Sequence, residues 1–362
     1  MRLGAYFIPL RYGEFIDSVK AAERAGYARA WVCDSPMIWQ DPYVYMAGGL
    51  AATERIVFGT AVTNPVTRHY ATTASAHATL ESIHPGRVVL GIGRGDSAIR
   101  TLGLQPARVA EMRRVVPALR ELTAGRALDQ QASALGERVT RGEPIRITWA
   151  RHGVPIMIGG TGPRTMRLAG ALADEVTLEV GAGIDAVRWA IGHVRAGAEE
   201  AGRPPGDVKI IVLCGMWLSD DLHDAREHCR WAPASAANHV AEVAHNNPGN
   251  DMPVALTRIL DLRAAALPPV ATATAAGGRV ASVPTMDGSY DYYTGHCINE
   301  ADHARWIPDE VIDEFALAGP AEMLLARIRE LEALGVSEVA AAFLGGELAQ
   351  MRAVGEQLIA RL

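Results

Sequence analysis

The stretch "GTAVTNPVTRH", residues 59–69, decides how the chain is to be read. A β-branched run leads into it, and Asn64 and Pro65 then end the strand and open a polar, cationic turn. Proline has no N–H for a strand ladder and holds the residue before it extended, so pairing must stop there.

Working outward, runs of the same strand-like kind recur along the chain: 2–8, 28–33, 55–62, 87–93, 154–160, 174–180, 208–217 and 337–344. Amphipathic helical patterns lie between most of them, at 14–26 with Phe15, Val19, Ala22 and Ala25 on one face, and at 71–83, 163–172, 183–201 and 319–334. Parallel neighbours need a crossover, so strands that alternate with helices imply a parallel sheet. Eight of them imply closure into an α/β fold, the (β/α)8 TIM barrel. An open doubly wound sheet is the alternative. It requires a glycine-rich dinucleotide turn after an early strand, whereas "GIGRGD" at 91–96 follows the fourth and lacks the downstream spacing.

A barrel takes about 250 residues, so this chain of 362 residues reads as one domain, 1–362, with insertions after strands four and seven. The first, about 124–152, contains "ERVTRGEPIRITW" and predicts a hairpin around Arg141 and Gly142. The second, about 220–315, begins as helix, breaks at "NNPGND" and continues irregularly, the pattern of a lid or binding loop.

A net charge of −6 with no run of Lys or Arg argues against a nucleic-acid or anionic-membrane surface and for a small-molecule partner. Cys33, Cys214, Cys229 and Cys297 form no C-x-x-C pair and predict free thiols in a reducing, cytoplasmic setting. No export signal or long apolar run is present in the sequence. The histidines contain no H-E-x-x-H and the cysteines no zinc spacing, so no metal site is expected. His223, His228, His239 and His245 fall in helical sequence and read as surface or packing residues.

Active sites of such barrels lie at the C-terminal ends of the strands. That nominates Tyr6 and Ile8 after the first strand, Asp34 and Ser35 after the second, and Asn64 after the third. Arg94 and Asp96 follow the fourth, Gly159, Gly160, Thr161 and Gly162 the fifth, and Glu179 the sixth. "IGGTGPRT" at 158–165 is the most explicit: glycines allow close backbone approach, Thr161 offers a hydroxyl, and Pro163 opens a helix. It reads as an anion cradle, most naturally for phosphate, or as a plain strand-to-helix turn.

The run "GTAVTNPVTRHYATTASAHATLESIHPGRVVLGIGRGDSA" together with this loop and "GPAEMLLARIRELEALGVSEV" at 319–339 resembles the luciferase-like family of flavin- and deazaflavin-dependent oxidoreductases. Within it the chain is most similar to the branch of coenzyme F420-dependent methylenetetrahydromethanopterin reductase. The resemblance implies hydride transfer between F420 and a small organic substrate. The alternative is an FMN-dependent two-component monooxygenase using reduced flavin and dioxygen.

It places a cis non-proline peptide at Ala61–Val62 as a wall behind the cofactor ring, with Asn64, Gly93, Arg94, Gly95 and Asp96 bordering the ring. Gly159 to Gly162 fall on the phosphate loop, and Asp34 and Ser35 on ring- or substrate-facing polar positions. Asp96 is the implied proton donor or acceptor, backed by Glu179 and Tyr6. Tyr290, Tyr292, Tyr293, His296 and Trp306 are the candidate substrate lid. The resemblance also implies a homodimer or higher homo-oligomer and a flavin or F420 reductase as electron donor. The chain departs from the reductase branch at Tyr6, where a glutamate is usual, and at Ser35, where a histidine commonly stands, so a pterin substrate does not follow.

Overall fold

The computed structural model describes residues 1–129, 143–246, 252–266, 292, 296–297, 304–345 and 347–362. Its strands are β1 (Arg2–Phe7), β2 (Arg29–Val32), β3 (Val57–Thr60), β4 (Val88–Ile92), β5 (Ile156–Gly160), β6 (Glu175–Leu178), β7 (Lys209–Leu218), β8 (Ala316–Gly319) and β9 (Val336–Ala342). They pair in the order β6-β5-β4-β3-β2-β1-β9-β7, and a β6–β7 pairing closes the ring. Each pairing is parallel. The expected (β/α)8 barrel is therefore the fold.

Strand β8 was not legible in the sequence. "ALAG" is four residues of small side chains, caught between the expected insertion that runs to about 315 and the helical pattern from 319. It pairs with the upper half of β7, Gly215↔Ala316 to Leu218↔Gly319, while Gly215 also pairs with Ala342 on β9. It thus lies on the same edge of β7 as β6, extending the wall at the mouth.

The strands bury both faces, as parallel barrel strands do, β2 and β4 over their whole length. Ala30, Val32, Leu90 and Ile158 join the helices in one apolar layer, whereas Trp31, Val89, Met157, Ile211 and Ala340 form a separate cluster inside the ring. Period-two alternation puts the two sets on opposite faces. One step nearer the strand starts, the interior turns ionic. Arg29 donates to both carboxylate oxygens of Glu175, its Nε lies 3.4 Å from Glu338, and Trp31 Nε1 donates to Glu338 at 2.8 Å.

Outside β3, the helix Tyr70–Ile83 presents buried His77, whose Nδ1 donates to Thr73 O at 2.9 Å. Burial pushes its pKa down to about 4. An unfolded histidine titrates near 6.5, so between these values the unfolded chain binds a proton that the folded one does not. Stability from a neutral His77 is full above about pH 6.5 and is lost as pH falls toward about 4, by at most about 3 kcal/mol. Urea titrations across that window are expected to show a shallower acid-side loss for His77→Gln than for the parent; equal slopes would remove His77 as the cause.

Both expected insertions are present. The first is tied at its base by an antiparallel Leu128↔Ile145 bridge, with N–H to O distances of 2.8 and 2.9 Å; the turn expected at Arg141 and Gly142 lies outside the described residues. The second contributes the helices Trp231–Asn246 and Val254–Ala266. Among the described residues no helix is long and apolar enough to cross a membrane.

Candidate active site

Continuing each inward-facing strand register by one step leads from the apolar cluster to the mouth. Trp31 is followed by Cys33, Met157 by Gly159, Ile211 by Leu213 and Ala340 by Ala342, and all four of these line a cavity of about 590 Å³. Tyr6, Asp34, Ser35, Asn64, Asp96 and Glu179 line it too, as do Arg94 and the glycines at 93, 95, 159, 160 and 162. Nearly every strand-end residue nominated from the sequence meets at this one place.

The back wall is the end of β3. The Ala61–Val62 peptide is cis, and both residues face the cavity. Glycines flank Val62 because nothing larger fits. A Cβ on Gly93 would stand 2.7 Å from Val62 Cγ2, and one on Gly159 would stand 2.9 Å from Val62 Cγ1 and 3.1 Å from Glu179 Oε1. Asn64 explains the abrupt strand end: its Oδ1 accepts from Val66 N at 3.0 Å and Thr67 N at 2.9 Å, a side-chain turn that replaces strand pairing. Asn64 is 1% exposed, yet its Nδ2 has no partner among the described residues. A buried, unpaired amide in a cavity wall is poised for an acceptor on a ligand.

Asp34 and Ser35 are more committed than the sequence implied. Asp34 Oδ2 accepts from Thr63 Oγ1 at 2.7 Å and from Arg68 Nε at 2.8 Å, and Ser35 Oγ lies 2.6 Å from Ser97 Oγ. Both residues lock neighbouring strand ends together.

At β5 the chain turns through Thr161 and Gly162 into the helix Pro163–Leu172, with Pro163 in the first turn and no side chain capping its N-terminus. A Cβ on Gly160 would meet Thr165 Cγ2 at 2.6 Å, so the loop is held close to the helix start. Thr161, Gly162, Arg164 and Thr165 line the cavity at this turn; within the first turn of the helix Pro163 has no N–H, and Thr165 N and Met166 N donate to Gly162 O, both at 3.0 Å.

Asp96 stands at the centre of an ionic cluster. Its Oδ1 accepts from Arg100 Nε at 2.6 Å and from the Tyr292 hydroxyl at 3.0 Å, and His239 Nε2 lies 3.5 Å from Oδ2. Arg100 also binds Glu242, which lies 3.5 Å from Arg94. Burial works to raise the Asp96 pKa, but His239 and Arg100 outweigh it and hold the carboxyl below its ordinary value. Glu179 goes the other way: burial raises it, and Asp96 adds to the rise against the pull of His239. Tyr6 is pushed well up, by burial first and by the neighbouring Cys33 next, and keeps its phenolic proton. Burial likewise pushes the cavity thiols Cys214 and Cys297 to about 12.

Of the candidate lid residues, His296 lines the cavity and stacks on Trp39 with ring centres 5.4 Å apart, and Tyr292 reaches Asp96. Tyr290 and Tyr293 lie outside the described residues. Trp306 is not brought to the cavity; it packs against the outer apolar layer because it sits at the foot of the helix leading into β8. The histidine expectation is corrected at one position. His223 and His245 are exposed and His228 stacks on Trp217 at 3.8 Å, but His239 faces the cavity. Sequence reading also missed Trp231, Ser235 and Glu242 on the same helix. Their spacing, in steps of three and four from Trp231, marks one helical face and was the available signal.

The model of the luciferase-like monooxygenase family matches residues 4–338. The chain belongs to that family. It is 28% identical over 374 residues to 5,10-methylenetetrahydromethanopterin reductase of Archaeoglobus fulgidus, covering 100% of both chains. It is 30% identical to F420-dependent glucose-6-phosphate dehydrogenase of Nakamurella multipartita, over 70% of this chain and 79% of the relative. Among solved structures, coenzyme F420-dependent tetrahydromethanopterin reductase from Methanopyrus kandleri superposes with a TM-score of 0.74 at 20% identity, covering 99% of this chain and 98% of the other.

Proposed function

We propose that the protein is an F420-dependent oxidoreductase that transfers a hydride between the deazaflavin and a small organic substrate. The observation that carries this reading is the Ala61–Val62 wall, crowded on both sides by Gly93 and Gly159, in the same cavity as the Gly159 to Gly162 loop. The relatives named above for F420 support it over a flavin. The residues suit such a group: a wall of the small side chains Ala61 and Val62 beside two glycines, the unpaired Asn64 Nδ2 for an acceptor at the ring edge, and the Thr161 hydroxyl with the backbone of the Thr161–Gly162 turn for a phosphate. F420, when bound, supplies hydride donation or acceptance at its central ring.

The chain's own residues then divide the remaining work. Ala61 and Val62 hold the ring, Asn64 with the Gly93 to Gly95 backbone orients it, and the Thr161–Gly162 turn anchors its tail. Glu179, whose pKa burial and Asp96 push upward, is the group placed to carry the proton that accompanies the hydride. Asp96, kept anionic by Arg100 and His239, serves as acceptor and as the anchor of the cluster rather than as donor. Tyr6 stays a hydroxyl and orients the substrate. In this reading residues 1–362 form one catalytic domain, active as a homo-oligomer in the cytoplasm and fed by a separate F420 reductase.

The FMN monooxygenase alternative draws on the family's own description and on monooxygenases among the solved structures of the same fold. Parallel titrations of the apoprotein with F420 and FMN, followed by ring fluorescence, separate the two. Micromolar or tighter F420 binding with FMN at least tenfold weaker is expected. The reverse order would make the protein a flavin enzyme, and binding of neither would end the cofactor reading.

A further inference from the structure

We propose that the helix Trp231–Asn246 carries the substrate subsite and that its occupant is a small uncharged molecule with a carbonyl or hydroxyl oxygen. The proposal rests on the deazaflavin reading for which half of the cavity is left to the substrate. In the barrel order β7 lies four strands from β3, diametrically across the ring. The helix packs against β7 there: a Cβ on Gly215 would stand 3.5 Å from Trp231 Cζ2 and 3.3 Å from Ala232 Cβ. A ring seated on Ala61 and Val62 therefore turns its open face toward this helix.

Trp231, Ser235 and His239, spaced four apart, put one polar stripe along the helix into the cavity, and Glu242 continues it. Trp231 is 7% and Ser235 8% exposed. Trp231 Nε1 has no partner among the described residues, while the Ser235 hydroxyl has the Cys297 thiol as a hydrogen-bond neighbour. An indole N–H can only donate, so a buried and unpaired one asks for an acceptor atom on the ligand. Leu213 and Phe315 supply apolar wall beside the stripe.

The charges nearby are matched within the protein. Asp96 pairs with Arg100, and Glu242 with Arg100 and Arg94. Donors without net charge, beside apolar wall, select a neutral oxygen-bearing molecule over a carboxylate or phosphate ester.

The test uses cyclohexanone and cyclohexanecarboxylate as probes, measured by calorimetry on the apoprotein and on protein saturated with F420. Cyclohexanone is expected to bind, with affinity about five- to tenfold weaker in Trp231→Phe and in Ser235→Ala, while both variants bind F420 within twofold of the parent and melt normally. The carboxylate is expected not to bind. Undetectable cyclohexanone binding, affinity unchanged in both variants, or equal binding of the carboxylate would each overturn the subsite. Tight F420 binding with any of these outcomes leaves the cofactor reading standing. Trp231-dependent cyclohexanone binding to a protein with no F420 affinity would do the opposite.

Discussion

Gly159→Val is expected to weaken F420 binding at least a thousandfold, about 4 kcal/mol, together with a smaller loss of stability from crowding at Val62 and Thr177. The bare Cβ already meets Val62 Cγ1 at 2.9 Å and Glu179 Oε1 at 3.1 Å. Valine adds two methyl groups that must project from the strand end into the cavity, where the ring would lie against Val62. The Glu179 carboxylate sits at the end of a flexible side chain and can move aside, whereas Val62 Cγ1 and Thr177 Cγ2, the latter at 3.1 Å, must shift slightly, so the fold gives a little and the ligand loses its wall. The comparison is a fluorescence titration of parent and variant, with the thermal midpoint as a folding control. Affinity within tenfold of the parent in a folded variant would mean that no ring rests at this wall.

Arg29→Met is expected to cost about 3–5 kcal/mol of stability, because it leaves the carboxylates of Glu175 and Glu338 facing each other inside the barrel. Glu175 is 1% and Glu338 0% exposed, so water cannot replace the lost guanidinium. Burial already raises the Glu338 pKa against the pull of Arg29, and removal of the arginine takes away that opposing charge. Urea unfolding reads the effect as a lower midpoint at unchanged slope. Adding Glu175→Gln and Glu338→Gln to Arg29→Met should recover part of the loss, since excess buried negative charge, which the half-exposed Lys209 and Arg2 at 3.7 Å offset only in part, and not the missing volume is the cause. A loss below about 1 kcal/mol in the single variant would show that the two carboxylates are simply neutralised.

These two sites illustrate how far the sequence could be read. The barrel was legible because its strands are apolar runs separated by helical patterns, and because strand ends in such a fold all face one mouth. That rule alone located Tyr6, Asn64, Asp96, Gly159 and Glu179 in one cavity. The ionic layer of Arg29, Glu175 and Glu338 was not legible, since charged residues at strand starts look like solvent-facing edges. The Asp96 cluster joins Arg100 to Glu242, 142 positions away, and Asp96 to Tyr292, 196 positions away. No local pattern encodes such pairings, and the lowered Asp96 pKa owes most to His239, which is just as remote in sequence, with Arg100 one helical turn away adding to it. His239 was misplaced for the same reason. Its helix shows a stripe, but only the packing against β7 tells which way the stripe faces.

The central claim is that F420 sits with its ring on the Ala61–Val62 wall and its phosphate at the Thr161–Gly162 turn. The most direct measurement is a crystal structure of the protein grown with F420. The account predicts ring density stacked on Ala61 and Val62, with an acceptor atom of the ring within hydrogen-bonding distance of Asn64 Nδ2 and the phosphate at the start of the helix Pro163–Leu172. A ring bound elsewhere, or a phosphate away from that helix, would contradict it.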